Sequence, residues 1–360
     1  MSQRLFKGGE SLAARYVVEV FIGEGGMQQV YRASDRAFDR RVAIKIPKNP
    51  SAERRFARSA QMSARVNHPH VAKTLDYFEE DGRSFLVEEL IIGTDLGELL
   101  EQHFVYLDPH LTAHVLHHLA TGLAAAHHAK VFHRDLKPSN VMVSSDPGLS
   151  TVKITDFGIA KMAEEEISEA VEGGTDTITS SQTALGALPY MAPEMIDSPR
   201  DAGQPADVWA VGAMLYHLLA GVAPFGRGLK VVPAILEAKL PQKPDPFDLY
   251  PQFSSLTDDL WRVVESCLVK DPGERPTADA LVDLCSTLCY ADSIRQEGEI
   301  VNYGQFKGAF GFIRSTDGDE VFFHRESLYG AKPTAGLRVN FAKYPGSPKP
   351  RAYPVLALRQ

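Results

Sequence analysis

The chain has 360 residues, 44% of them hydrophobic and 23% charged, enough for two or three domains with sizeable cores. A formal net charge of −8 excludes a protein that holds nucleic acid by bulk charge, although the charge is uneven: residues 1–290 carry −11 and residues 291–360 carry +3. Cys267, Cys285 and Cys289 form no CxxC pair and are too few for a disulfide framework, so they read as reduced helix residues, with Cys285 and Cys289 able to share one face.

Residues 16–46 alternate apolar and polar around a glycine cluster and read as strand, tight loop, strand, strand. Residues 51–66 are helix-like, and "HVAKTLDYF" and "SFLVEELII" within 71–92 return to strand patterns. From Asp108 to Lys130 the apolar residues Leu111, Val115, Leu116, Leu119 and Leu123 recur at helical spacing. Short strands are expected near 141–143 and 152–154, then a hydroxyl-rich stretch through Thr183, and helices from Ala206 onward. A β-rich front and α-rich rear predict two lobes with a cleft between them. The most apolar run, Val208–Phe225, is interrupted by His217 and Pro224 and reads as a buried helix rather than a membrane span, and no signal peptide is legible, so a cytoplasmic chain with no membrane partner is expected. The helical spacing of His114, His117 and His118 lacks matching carboxylates or thiols and predicts a solvated helix face instead of a metal site.

Four segments carry phosphate chemistry. In "IGEGGMQQVY" the glycines Gly23, Gly25 and Gly26 let a turn lie against phosphate oxygens and offer backbone donors to them. Lys45 ends the apolar strand "VAIK", where a buried-edge ammonium needs an anionic partner. "HRDLKPSN" spans residues 133–140 and "DFG" spans 156–158. Together and in this order, with "APE" at Ala192–Glu194, "DVWAVG" at Asp207–Gly212 and Arg275 in "DPGERPT", they resemble the eukaryotic-like protein kinase family over residues 12–290. "HRDLKPSN" looks like its Ser/Thr branch and the "GEGG" loop looks bacterial.

The resemblance implies an α+β fold with a β-rich N-lobe and a helical C-lobe, use of ATP and Mg2+, and protein substrates with Ser or Thr hydroxyls. It implies that Asp135 accepts the substrate proton, that Lys137 neutralises the moving phosphoryl, and that Asn140 and Asp156 hold the metal. Lys45 would hold the α- and β-phosphates. Ile22, Gly23, Glu24, Gly25, Gly26, Val30, Ala43, Glu88, Glu89 and Ile91 would surround the nucleotide. Phosphate added at Thr175, Thr177, Thr179 or Thr183 would pair with Arg134 and order the loop.

Four departures stand out. Ser59 occupies the place of the helix glutamate that the family pairs with the strand lysine, and Glu88 stands where an apolar residue usually backs the adenine pocket. These predict that Glu88 replaces the missing partner of Lys45, unless the helix register places Glu53 there. Ala187 replaces a threonine, and Gln28 stands where a third glycine is common. They leave open a second reading, a nucleotide-binding scaffold with little phosphoryl transfer.

Residues 307–328, "KGAFGFIRSTDGDEVFFHRESL", form an aromatic hairpin turned by Asp317–Asp319. Alternation puts Phe310, Phe312, Phe322 and His324 on one face and leaves Ile313, Val321 and Phe323 for a core. The pattern resembles the cold-shock domain, a small five-stranded OB-like β-barrel, over residues 297–358, with Tyr303 near its first-strand aromatic. That resemblance implies a single-stranded RNA or DNA partner stacked on Tyr303, Phe310, Phe312, Phe322 and His324. A docking or regulatory module is the alternative.

Overall fold

The computed structural model describes residues 4–25, 28–48, 56–57, 60–157, 186–198, 202–243, 250–304 and 308–359. Gly26, Glu53, Ser59, Thr175, Thr177, Thr179 and Thr183 lie outside them.

The N-terminal lobe is an antiparallel sheet of six strands in the order β1-β2-β3-β4-β6-β5. The strands are β1 (Ser11–Leu12), β2 (Tyr16–Glu24), β3 (Gln28–Asp35), β4 (Arg40–Pro47), β5 (Thr74–Glu80) and β6 (Arg83–Glu89). β2 alternates because only one of its faces is covered, whereas β4 is central and buried on both. Val42, Ile44 and Ile46 of β4 join Tyr31, Phe85 and Val87 in the lobe's core. The intervening residues Ala43 and Lys45 therefore point to the other face. Val30 and Leu86 sit opposite Lys45, and Glu88 opposite Ala43, so register alone gathers one ammonium and one carboxylate on the cleft side.

The helical lobe begins after a short strand, β7 (Gly93–Asp95), with α1 (Leu96–Gln102) and α2 (Pro109–His128). Asp108 starts α2 by accepting from the backbone N–H groups of His110 and Leu111, with Pro109 in the first turn where its missing N–H costs nothing. β7, β8 (Val141–Ser144) and β9 (Val152–Ile154) form a small sheet that carries the loops of the site. α3 (Gln204–Ala220) is buried through nearly its whole length, α4 (Ser254–Cys267) shows one apolar face, and α5 (Ala278–Thr287) completes the lobe. Among the described residues no helix is long and apolar enough to cross a membrane. Cys285 is buried on α5, but Cys289 lies beyond its end and is exposed, so the two thiols do not share a helix face.

The solvated histidine face expected on α2 is also corrected. His114 is buried and its ring packs against that of His118, which in turn packs against His70 from the segment before β5. Each ring has a fixed partner: His114 meets Leu149 O, His118 meets His114 O, and His117 meets the Tyr290 hydroxyl.

The remaining strands are β10 (Arg295–Gly304), β11 (Phe310–Ser315), β12 (Glu320–His324), β13 (Leu328–Tyr329), β14 (Arg338–Tyr344) and β15 (Arg351–Ala357). Their order β12-β11-β10-β14-β15 closes through a parallel β12–β15 pairing, with β13 appended to β15. Five principal strands thus make a closed barrel filled by Ile300, Ile313, Val321, Phe323, Val339 and Phe341. A side chain at Gly311 would meet Asn302 O at 2.3 Å and the Phe323 ring at 2.8 Å, so only glycine lets β10, β11 and that ring approach so closely.

The barrel docks firmly on the helical lobe. Arg295 donates from both terminal nitrogens to Asp108, at 2.6 and 2.9 Å, with both side chains buried. Asn340 accepts from Arg295 and donates to Pro147 O. Tyr329 inserts among Tyr106, Tyr250 and Phe253, and Tyr353 stacks on Phe253. Tyr329, Leu356 and Leu358 belong to the same apolar cluster as the helices.

Candidate active site between the lobes

Lys45 reaches from β4 to two carboxylates. Its Nζ lies 2.6 Å from Glu88 Oε2 and 2.9 Å from Asp156 Oδ1. Lys45 and Glu88 are almost fully buried, which alone would neutralise either of them. Burial lowers the Lys45 pKa, but Asp156 and Glu88 outweigh it and hold the ammonium charged above its ordinary range. One ammonium serves two acids unequally. Burial raises the Glu88 pKa despite Lys45, whereas at Asp156 the Lys45 charge and a hydrogen bond from Gln28 overcome burial and lower it. Gln28 is the first residue of β3, and its Nε2 donates to Asp156 Oδ1 at 2.7 Å.

The second half of the site is the loop after α2. Asp207, fully buried on α3, accepts from the backbone N–H groups of His133 and Arg134 and from His127, which pins the loop from below. Lys137 Nζ lies 2.9 Å from Asp135 Oδ2, and Asn140 Nδ2 donates to the Asp135 backbone and carboxylate. The N–H of Thr155 donates to Asn140 O, so the residue before Asp156 is tied to the loop that holds Asp135. Polar contacts therefore run from Glu88 through Lys45 to Asp156 and, by way of the adjoining Thr155, to Asn140, Asp135 and Lys137. Arg134 and Asp156 both adopt left-handed backbone, φ 63° and 62°, where non-glycine residues are strained and which recurs at functional sites. Arg275 supports the lobe by a two-pronged bond to Glu194.

The other expected nucleotide residues fall around this chain. Ile22 is exposed on β2, Gly23 and Glu24 end that strand, and Gly25 N–H donates to Gln28 O to close the turn. Val30 and Ala43 share the Lys45 face by register. Ile91 follows β6, but the Glu89 carboxylate turns to Lys153, at 2.6 and 2.8 Å. Ala187 lines the same narrow crevice as Asp135, where its methyl offers no hydrogen bond.

Asn140 and Asp156 offer hard oxygens suited to Mg2+, which keeps several waters and takes further ligands from phosphate. Asn140 spends its Nδ2 on Asp135, leaving its side-chain Oδ1 for a ligand. Gln28 Oε1 is a buried acceptor without a hydrogen-bond partner beside Asp156, suited to a metal-bound water. Among the described residues no group of three or more His, Cys, Asp or Glu could hold a metal unaided.

On the barrel, Phe310 pairs with His324 and Phe312 with Phe322, which puts all four on one face, half-buried. The three phenylalanine rings lie 5.2–6.2 Å apart, and Lys349 sits 5.1 Å over Phe312. Tyr303 is not with them. It pairs with Gly311, stacks on the core residue Phe323 and donates its hydroxyl to Gly308 O.

Residues 16–284 match the protein kinase domain family, so the chain belongs to that family. It is 33% identical over 279 residues to the serine/threonine-protein kinase pkn3 of Myxococcus xanthus, covering 75% of this chain and 49% of the relative. It is 34% identical over 288 residues to the serine/threonine-protein kinase PknA of Mycobacterium tuberculosis, covering 76% and 62%. Against PrkC of Bacillus subtilis the identity is 30% over 295 residues, covering 80% and 43%. The chain thus spans about half the length of the curated relatives it matches. Among solved structures, Rad53 1–466 in complex with AMP-PNP has a TM-score of 0.56 at 21% identity, covering 74% of this chain and 63% of that one, a likeness of fold.

Proposed function

We propose that the chain transfers the γ-phosphoryl of Mg2+-bound ATP to serine or threonine hydroxyls of proteins, with residues 12–290 as the catalytic unit. The observation that carries this reading is the set of polar contacts from Glu88 and Lys45 to Asp156 and, through the adjoining Thr155, to Asn140, Asp135 and Lys137, which joins both lobes across one cleft. Phosphoryl transfer needs positioning and charge neutralisation more than covalent help. Asp135 accepts the hydroxyl proton, and Lys137, 2.9 Å away, offsets charge at the moving group. Lys45, held by Glu88, meets the phosphates. Asn140 and Asp156 would hold Mg2+, which supplies the neutralising charge between phosphates. Arg134 would receive phosphate added at Thr175, Thr177, Thr179 or Thr183.

The test is transfer of labelled phosphate from ATP to the chain itself and to a basic protein, beside Asp135→Asn. Transfer by the native chain and loss of at least a hundredfold in the variant are expected (about 2.7 kcal/mol). Equal residual labelling of both proteins would reject the assignment. The second reading, a nucleotide-binding scaffold, draws on Gln28, which lies on Asp156, and on Ala187, which gives Asp135 no anchor.

For the barrel we propose a cold-shock-like module over residues 297–358 that stacks single-stranded RNA or DNA on Phe310, Phe312, Phe322 and His324. The barrel docks through Tyr329 and Tyr353 instead of these rings, and Arg351 stands beside them for phosphates, with Lys349, paired to Glu320, over Phe312. Stacking contributes about 1–3 kcal/mol per base. Titration of the full chain with labelled oligonucleotide at two salt concentrations, beside Phe312→Ala, tests it. Affinity that Phe312→Ala leaves unchanged would argue for a docking role instead. Tyr303, facing the interior, serves this surface as a support.

A further inference from the structure

Beside Lys137 opens a cleft of about 240 Å³, bounded by α1, by Lys137–Ser139, by residues 186–190 and by the end of α3. Lys137, which bonds both oxygens of Asp135, also lines this cleft, so an acceptor chain whose hydroxyl reaches Asp135 has this wall beside it. One further residue lines the cleft from far along the sequence: Arg359, just beyond β15.

The charge of the cleft follows from its partners. The Lys137 ammonium is spent on Asp135. Burial pushes the His217 pKa down to about 4, so that ring is neutral at pH 7. Glu101 is the one carboxylate of the lining, while Arg227 and Arg359 are exposed and form no ion pair among the described residues. Two guanidinium groups thus oppose one acid. Arg359 is also held in place: its backbone N–H donates to His103 O, and its Nε donates to Leu100 O and Phe104 O at the end of α1. Nε is only one of five donors, so four N–H groups remain on a side chain whose orientation is already fixed. A fork of this kind matches a carboxylate or a phosphate.

We infer that the C-terminal module completes the acceptor site through Arg359, and that the preferred acceptor is a Ser/Thr polypeptide with an anionic side chain, carboxylate or phosphate, beside its hydroxyl. The inference rests on the reading of this cleft as the phosphoryl-transfer site. Arg359 would act as a specificity residue, with Arg227 as the second pole of the same preference.

The experiment uses the full chain and three peptides of one sequence carrying Glu, Gln or phosphoserine near the acceptor. The kcat/KM ratio of Glu peptide to Gln peptide is expected near tenfold, the size of one charge-assisted hydrogen bond. It should fall to about one in Arg359→Glu and persist in Arg359→Lys. Arg227→Glu, which breaks no contact with the barrel, should lower the same ratio severalfold and guards against loss of docking. The phosphoserine peptide separates the two anions: a higher ratio than Glu assigns the fork to phosphate, a lower one to carboxylate. Equal use of the Glu and Gln peptides by the native chain, or a ratio unchanged by Arg359→Glu and Arg227→Glu, overturns the inference. Fluorescence anisotropy of the labelled peptides gives the same comparison without turnover. A chain that transfers no phosphate yet binds the Glu peptide more tightly would fault the kinase reading and leave only the anion preference of the cleft standing.

Discussion

At the scale of single residues, the unusual feature is an ammonium shared by Glu88 and Asp156. Metal binding at Asp156 would draw that carboxylate from Lys45 and leave Glu88 as the remaining partner. Glu88→Gln is therefore expected to lower kcat about 10–100-fold (roughly 1.4–2.8 kcal/mol), while Ser59→Ala stays within about twofold in the same steady-state assay. The reverse order would return the role to the helix. Gln28 predicts the opposite sign. Its amide competes with a metal for Asp156, and losing that bond outweighs the single water contact its Oε1 would offer, so Gln28→Ala should tighten Mg2+-nucleotide binding about fivefold by calorimetry, part of the value of a hydrogen bond to a charged group. Weaker binding would show that Gln28 holds the nucleotide instead. The contact between Lys45 and Glu88 was legible in the sequence because two departures from one pattern were complementary. The bond from Gln28 to Asp156 was not, since 128 positions separate them and an amide in a strand carries no periodic signal.

At the scale of elements, α2 links two kinds of chemistry. Its first turn is held by Asp108, and the loop that carries Asp135 follows its last turn. Its interior carries His118, whose pKa burial pushes down to about 4 and which faces His70, His114 and His117, with Asp292 beside His114. His217 on α3 is lowered to about 4 by the same cause. The native state thus binds fewer protons than the unfolded chain, whose histidines titrate near 6.5. Stability should be level above about pH 6.5 and fall as the pH drops from there to about 4. Urea midpoints measured across that range, beside His118→Gln, check it. A variant with an unchanged slope would place the effect elsewhere. Helical spacing revealed α2, but not that its histidines meet His70, because burial of a polar face depends on what folds over it. Strand alternation did reveal which barrel residues face inward, since a period of two leaves little freedom once one face is core. Tyr303 escaped that reading: its pairing with Gly311 depends on a register shift between Ile300 and Asn302.

At the scale of the whole molecule, the two modules share one apolar cluster and a buried ion pair. Burial alone would raise the Asp108 pKa, but Arg295 outweighs it and holds it lowered, so the contribution of this pair is present above the ordinary carboxylate range and is lost as the pH falls below it. Removing one member strands a buried charge, with a cost of about 3–5 kcal/mol. Arg295→Ala should therefore lower the melting temperature by several degrees, and calorimetry of the native chain should show one cooperative transition. Two separated transitions in the native chain would refute that coupling. The lobes and the barrel were legible as patterns, whereas their joint was not: Arg295 and Asp108 are 187 positions apart and neither belongs to a motif.

The same joint limits how such proteins can be recombined. A chimaera that grafted another domain after α5 would leave Asp108 with no counter-charge and open the ring-lined seat of Tyr329 to water. Exchange at this point has to carry matched side chains from both partners.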